Sequence, residues 1–280
     1  MQETLEFVSN GLAVRGIVHR PEGRTPRAGV LLLHGWGGTR SGPHRILHSA
    51  GERLAGEGFV CLRFDFRGRG DSEGEVLDHD LNTMIEDAKC AAEYAHVALG
   101  LDTLYLVGIC SGGEVAVGAM HDGLKVAGAA LWSAPVFSAD ATLSRRARKS
   151  ASYLRDYAAK LFRLETWRKL ISGRIRFGVI GRVLLGGSVH QKGEGERKEL
   201  SASERLRGGA DSVLLIYGTA DPIAEEAIDR YTALFERSGA RVSLHRIVGA
   251  NHGFYSWAWH QEVVERTAAW MLAEAALTAP

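Results

Sequence analysis

Cysteine is scarce in this chain: three occur in 280 residues, Cys61, Cys90 and Cys110. They form no close pair and no metal-like spacing, which excludes a disulfide-stapled or zinc-stapled domain and fits a reducing compartment. Long apolar runs are missing too. None approaches the roughly 18 residues of a transmembrane helix, so no membrane span is expected. The first residues, Met1-Gln2-Glu3-Thr4-Leu5-Glu6, lack the basic-then-apolar order of a secretory signal, and a cytoplasmic protein is the default expectation. Charge of one sign is not in excess either, at a formal net charge of +1, and no nucleic-acid partner is expected.

Two further absences narrow the chemistry. Gly68-x-Gly70 is too short for a phosphate-binding loop, and Gly35-x-Gly37-Gly38 lacks the Lys-Ser/Thr ending such a loop requires; no cofactor is expected. His44 and His48 are spaced to share one helix face, with Glu52 a turn further on. No Glu directly follows the first His, as it does in zinc peptidases. A polar stripe on a solvated helix accounts for this trio, and no metal is expected.

Hydrophobic residues make up 45% of the chain, enough for one sizeable core plus an insertion. Residues 4–8 and 12–19 alternate as paired strands around Asn10-Gly11, a hairpin turn. From Val30 onward strand and helix patterns alternate: strand 30–33, helix 46–57, strand 59–64, helix 81–94, strand 104–107 and helix 113–121. Further strands end near Pro135 and cover 212–217 and 241–248, and a last helix is predicted over 258–275. Cys61 falls in a strand and Cys90 in a helix, both as structural residues. The alternation predicts an α/β fold with a mostly parallel, doubly wound sheet that begins antiparallel.

The most informative stretch is Gly108-Ile109-Cys110-Ser111-Gly112, between an apolar strand and a helix-compatible run. A nucleophile held in a sharp strand-to-helix elbow crowds the positions two before and two after it, which favours residues without a Cβ. Gly108 and Gly112 flank Cys110 in that way, whereas an apex at Ser111 would put β-branched Ile109 at a crowded position. Cys110 is the expected nucleophile; a buried structural cysteine beside a glycine-rich turn is the plain alternative.

An acid and then a histidine are expected downstream, each just after a late strand. Strand 212–217 runs into Gly218-Thr219-Ala220-Asp221-Pro222, and strand 241–248 into Gly249-Ala250-Asn251-His252-Gly253. Taken singly, Asp-Pro is a turn and a histidine is a surface or satisfied core residue. In this order behind an elbow, Asp221 and His252 fit an acid and a base at the carboxyl edge of one sheet. Strand 30–33 runs straight into His34-Gly35-Trp36-Gly37-Gly38, where glycines let backbone amides turn toward a developing negative charge. The amides of Trp36 and Ser111 are the expected oxyanion donors. Asp65 and Asp71, in Asp65-Phe66-Arg67-Gly68-Arg69-Gly70-Asp71-Ser72, are expected to buttress that loop through backbone hydrogen bonds.

With these residues in view the chain resembles the α/β-hydrolase superfamily over nearly its whole length, on His34 to Gly38, the Asp65 to Ser72 loop, the Cys110 elbow, Asp221 and His252. Residues 35–88 are similar to serine-aminopeptidase-like hydrolases and to bacterial cinnamoyl and feruloyl esterases. Those carry serine at the elbow. Cysteine there is similar to dienelactone hydrolases and to the longer polyhydroxyalkanoate synthases. Tyr153-Leu154-Arg155-Asp156-Tyr157 and Trp167-Arg168-Lys169-Leu170-Ile171-Ser172-Gly173 resemble hydrolases encoded beside exosortase and exopolysaccharide systems. The resemblance implies an α/β-hydrolase fold, a Cys110–His252–Asp221 triad and acyl transfer, with His34, Gly35, Asp65, Gly108 and Gly112 supporting the site.

About 75 residues separate the strand near Pro135 from the one at 212, far more than a connection needs. The expected plan is a hydrolase core of residues 1–136 and 211–280 with a helical lid over 137–210. Leu154, Tyr157, Leu161, Leu164 and Ile171 have helical spacing within the lid. It carries 17 Lys or Arg against 7 Asp or Glu, an excess of ten, so the rest of a chain of net +1 sums to −9. That asymmetry points to an anionic substrate or partner: a carboxylate, coenzyme A phosphates, an acyl carrier protein or an anionic membrane. A solvated helical face is the plain alternative. An exposed apolar stripe would also suit a homodimer.

Three functions follow from this reading. The first is hydrolysis of a small carboxylic ester, lactone or thioester through an acyl-enzyme on Cys110. The second is an acyltransferase using the same cysteine with a non-water acceptor. The third is a non-catalytic homologue that binds a membrane or partner through the basic segment.

Overall fold

The computed structural model describes residues 1–137 and 203–278. Most of the expected lid, with its amphipathic stretch and the two motifs at 153–157 and 167–173, lies outside the described residues.

The described chain forms strands β1 (Gln2–Ser9), β2 (Leu12–His19), β3 (Gly29–Leu33), β4 (Val60–Phe64), β5 (Leu104–Ile109), β6 (Val126–Trp132), β7 (Ala210–Gly218) and β8 (Arg241–Ile247). Helices α1 (Ile46–Gly56), α2 (Leu81–Leu99), α3 (Ser111–His121), α4 (Ala224–Ser238) and α5 (Trp257–Thr278) join or follow them. The strands make one sheet in the order β1-β2-β4-β3-β5-β6-β7-β8. β1 and β2 pair antiparallel, as do β2 and β4, and from β4 to β8 every pairing is parallel. This is the α/β-hydrolase architecture.

Side-chain alternation splits each central strand between two cores. On β3, Leu31 and Leu33 join a cluster with Met84 and Ala88 of α2, Val115 and Ala119 of α3, and Ile228 and Tyr231 of α4. Val30 and Leu32 join the opposite cluster, with Leu47 and Leu54 of α1 and Val263 and Met271 of α5. Burying a side chain of this size contributes about 1.5–3 kcal/mol, so strands covered on both faces anchor the sheet.

Because β3 lies between β4 and β5, the chain leaves it toward one side and returns past it to the other. Loops after β3 and β5 therefore emerge side by side, at the kind of switch point where open α/β sheets place their sites.

Helix ends follow local chemistry. Asp80 caps α2, its carboxylate accepting from the amides of Asn82 at 2.9 Å and Thr83 at 3.2 Å. The helix runs past Tyr94 to Leu99 and stops at Gly100, whose φ of 66° suits glycine. α3 begins at Ser111, directly on the elbow. α4, unassigned in the sequence reading, buries Ala227, Ile228, Tyr231 and Phe235 on one face. α1 begins at Ile46, and His44, at φ 50°, precedes it. His44 therefore does not share the helix face of His48; its ring lies 4.8 Å from Tyr255.

Candidate active site

Cys110 occupies the junction of β5 and α3 with φ 54° and ψ −128°, a conformation a non-glycine residue rarely adopts. Such a residue stores on the order of 1–3 kcal/mol of strain and persists only when its surroundings hold it. Its amide donates to the Trp132 carbonyl at 2.9 Å, and its own carbonyl accepts from the Gly113 amide at 2.9 Å. A Cβ on Gly108 would lie well inside contact with the Gly112 carbonyl, and one on Gly112 would strike the Leu33 carbonyl. The glycines are required because backbone packs on backbone on both sides of the cysteine.

Asp221 follows β7 and His252 follows β8. Three hydrogen bonds tie the loops: Thr219 N–H to the Ile247 carbonyl at 3.0 Å, Ala220 N–H to the Ala250 carbonyl at 3.0 Å, and Gly249 N–H to Thr219 Oγ1 at 2.8 Å. His252 Nδ1 lies 3.0 Å from Asp221 Oδ2, and Asp221 Oδ1 accepts from the Ile223 amide at 3.2 Å. A ring that donates from Nδ1 leaves its Nε2 edge for another partner, and His252 interacts electrostatically with the Cys110 thiol.

That pairing sets the proton. His252 is raised from 6.5 to about 9, first by its bond to Cys110, against burial, and then by the charges of Cys110 and Asp221. Burial pushes the Cys110 thiol up, but its bond and charge interaction with His252, with smaller help from Ser111, leave it below its ordinary value. Opposite shifts of this kind favour a thiolate beside an imidazolium. Cys61, by contrast, has its thiol pushed far up by burial alone.

The loop after β3 holds the remaining groups. A Cβ on Gly35 would press on Cys110, 3.3 Å from its Cβ. His34 is fully buried; its Nδ1 lies 2.7 Å from the Gly35 carbonyl and its Nε2 accepts from the Phe66 amide at 3.2 Å. Those two bonds require a proton on Nδ1 alone, and burial lowers His34 to about 4, so the ring stays neutral. Asp65 accepts from the amides of Arg40 at 2.6 Å and Asp71 at 3.1 Å and also pairs with the Arg40 guanidinium. Asp71 Oδ2 pairs with the same guanidinium at 2.6 Å. Both carboxylates brace the chain beyond the Gly35–Gly38 turn.

Trp36 is held from two sides. Its amide donates to Ser111 Oγ at 3.0 Å. Arg69 Nε donates to its carbonyl at 2.7 Å, and the Arg69 guanidinium lies 4.4 Å over its ring. The Ser111 side chain, Arg69 and Arg40 were not singled out from the sequence. Basic residues inside the conspicuous 65–72 loop were the available signal for Arg69. His48 pairs with Glu52 at 3.2 Å, and no group of three metal-ligating side chains occurs among the described residues. No helix among the described residues is long and apolar enough to cross a membrane.

Eight strands in hydrolase order and an elbow cysteine facing a loop-borne histidine define a class, and sequence comparison agrees with it. Residues 30–269 match the alpha/beta hydrolase family, to which this chain belongs. Among solved structures it is similar to Est1E from Butyrivibrio proteoclasticus with ferulic acid bound, at 18% identity and TM-score 0.65 over 97% of this chain and 99% of that one. An esterase of Pyrococcus furiosus gives 17% identity and TM-score 0.66 over 98% of this chain and 90% of that one. The quorum-quenching protein AidA of Acinetobacter baumannii (strain MDR-ZJ06) is 36% identical over 92 residues, 32% of this chain and 29% of that protein. Each match to the curated relatives spans less than a third of the relative's length.

Proposed function

We propose that this chain hydrolyses a small carboxylic ester, lactone or thioester through an acyl-thioenzyme on Cys110. The observation that carries the reading is the elbow cysteine at φ 54°, electrostatically coupled to a histidine whose Nδ1 lies 3.0 Å from a buried aspartate. Family membership and the fold likeness to two proteins described as binding ferulic acid or as an esterase support an ester as the substrate.

In the proposed reaction the Cys110 thiolate attacks the acyl carbon, and the carbonyl electron pair moves onto oxygen. Collapse breaks the bond to the leaving group, which takes the His252 Nε2 proton. Neutral His252 then removes a proton from water as its oxygen attacks the thioester, and Cys110 departs as thiolate beside a recharged imidazolium. Asp221 keeps the ring oriented. The Ser111 amide is the proposed direct oxyanion donor, with the Trp36 amide, already bonded to Ser111 Oγ, behind it, and His34, Gly35, Asp65, Gly108 and Gly112 hold the backbone around them.

The proposed domain plan keeps a core of residues 1–136 and 211–280 and a basic cap of 137–210, whose charge excess favours an anionic acyl donor, such as acyl-coenzyme A or an acyl carrier protein. Intact-protein mass spectrometry with short acyl esters and thioesters tests the chemistry. An acyl adduct present in wild type and absent in Cys110→Ala is expected; an adduct that survives Cys110→Ala overturns the reading. Diversion of product by added alcohols, amines or thiols would assign acyl transfer instead.

A further inference from the structure

Ser111 is the first residue of α3 and only 7% exposed. Its hydroxyl lies between two groups that acyl chemistry uses. The Trp36 amide donates to Ser111 Oγ at 3.0 Å, and Ser111 Oγ is 3.8 Å from Cys110 Sγ. A hydroxyl has one proton to give and two lone pairs to receive. With a lone pair engaged by the Trp36 amide, its proton is free for the sulfur. A thiolate has no proton of its own, so once Cys110 is ionised the direction of the contact is set: Ser111 donates and Cys110 accepts.

The Trp36 end of this chain of bonds is anchored. Arg69 holds the Trp36 carbonyl and covers its ring, so the amide cannot swing away without losing both contacts. An acyl oxygen entering beside Cys110 therefore meets a Trp36 amide already occupied by Ser111 Oγ.

We propose that the Ser111 hydroxyl is a catalytic relay, donating to the Cys110 thiolate before attack and to the acyl oxygen after it. The inference rests on Cys110 being the nucleophile. On attack the negative charge moves from sulfur to an oxygen two bonds away, a displacement that rotation of the Ser111 hydroxyl can follow. No covalent bond to Ser111 forms or breaks. The Trp36 amide then acts on the oxyanion through Ser111, polarising its O–H bond, while the Ser111 amide remains a direct donor. The titratable neighbour acting on Cys110 among the described residues is His252, so a change in the cysteine's titration on altering Ser111 has a short list of causes.

The test uses the full chain as Ser111→Ala and Ser111→Thr, with wild type and Cys110→Ala alongside. One readout is the pH dependence of Cys110 alkylation by iodoacetamide, measured on the Cys110 peptide because Cys90 is itself partly exposed. The other is kcat and KM for p-nitrophenyl acetate, taken per folded molecule from parallel thermal melts. Ser111→Ala is expected to move the alkylation midpoint to higher pH and lower kcat about tenfold or more, with KM little changed. Ser111→Thr, which keeps the hydroxyl, is expected to restore most of both. A Ser111→Ala enzyme with wild-type profile and kcat overturns the relay, as does a Ser111→Thr enzyme as impaired as Ser111→Ala, which would assign a packing role. If alkylating Cys110, or Cys110→Ala, leaves turnover intact, the nucleophile assignment falls. If those abolish turnover while Ser111→Ala is silent, only the relay falls.

Discussion

His252 and Asp221 meet at 3.0 Å across two loops, and of the two side chains only the imidazole reaches solvent, at 39% exposure against 0% for the carboxylate. Inside the protein one of its oxygens meets the ring and the other accepts from the Ile223 amide. Asp221→Asn keeps the size but offers its partner an amide, which can hold the ring in the wrong tautomer. Steady-state kinetics on an ester substrate are expected to show kcat reduced by on the order of 10³ to 10⁴, with a melting temperature close to wild type.

The Cys110–His252 pair fixes how activity follows pH. The thiol sits below its ordinary value and the imidazole is raised from 6.5 to about 9, so the reactive ion pair fills the window between them. The rate of hydrolysis is expected to rise on the acid side below an ordinary thiol pKa and to fall as pH climbs through about 9. The folded protein binds the His252 proton more tightly than the unfolded chain. The stabilisation from His252 is therefore fully present below pH 6.5 and is lost as pH rises through about 9. An acid limb centred at an ordinary thiol value would contradict the pairing.

Gly112 leaves no space for a side chain, because a Cβ there meets the Leu33 and His34 backbone. Gly112→Ala must push β3 and the elbow apart. Chemical denaturation is expected to register a loss of about 1–3 kcal/mol, together with a fall in kcat, since the displaced backbone carries Trp36 and Ser111.

Arg69→Met removes the donor to the Trp36 carbonyl and the cation over its ring while keeping an apolar stem. The guanidinium is nearly buried and makes no ion pair within reach of a carboxylate among the described residues, so folding should survive its loss. Kinetics are expected to show kcat lowered by about tenfold, because on the proposed mechanism a loosened Trp36 loop weakens the transition state more than the ground state. A variant with unchanged kcat would show that Arg69 serves stability alone.

Much of the fold was legible because its signals are local. Val30 to Leu33, Leu104 to Val107 and Ser212 to Tyr217 read as strands and are strands, since burial on both faces leaves continuous apolar runs. α4 is harder to read, because its buried stripe of Ala227, Ile228, Tyr231 and Phe235 is interleaved with the charged Glu225, Glu226, Asp229 and Arg230. α2 was cut short at Tyr94 because the stop signal, Gly100, stands further on. His44 and His48 look like helix neighbours by spacing, but the positive φ of His44 and Arg45 starts α1 after them.

The sequence by itself determined the class of sheet, the elbow at Cys110 and the placing of Asp221 and His252 after late strands. Each of those depends on side-chain period or on which backbone angles a residue without a Cβ can take. Only the tertiary structure decided that Ser111 Oγ comes to rest between the Cys110 sulfur and the amide of Trp36, 75 residues before Ser111 in the chain, and that Arg69 lies over Trp36 from 33 residues away. It also decided the burial and pairing that draw the Cys110 thiol down and the His252 imidazole up. These are matters of distance and burial, and both follow from the order in which the strands assemble rather than from any pattern along the chain.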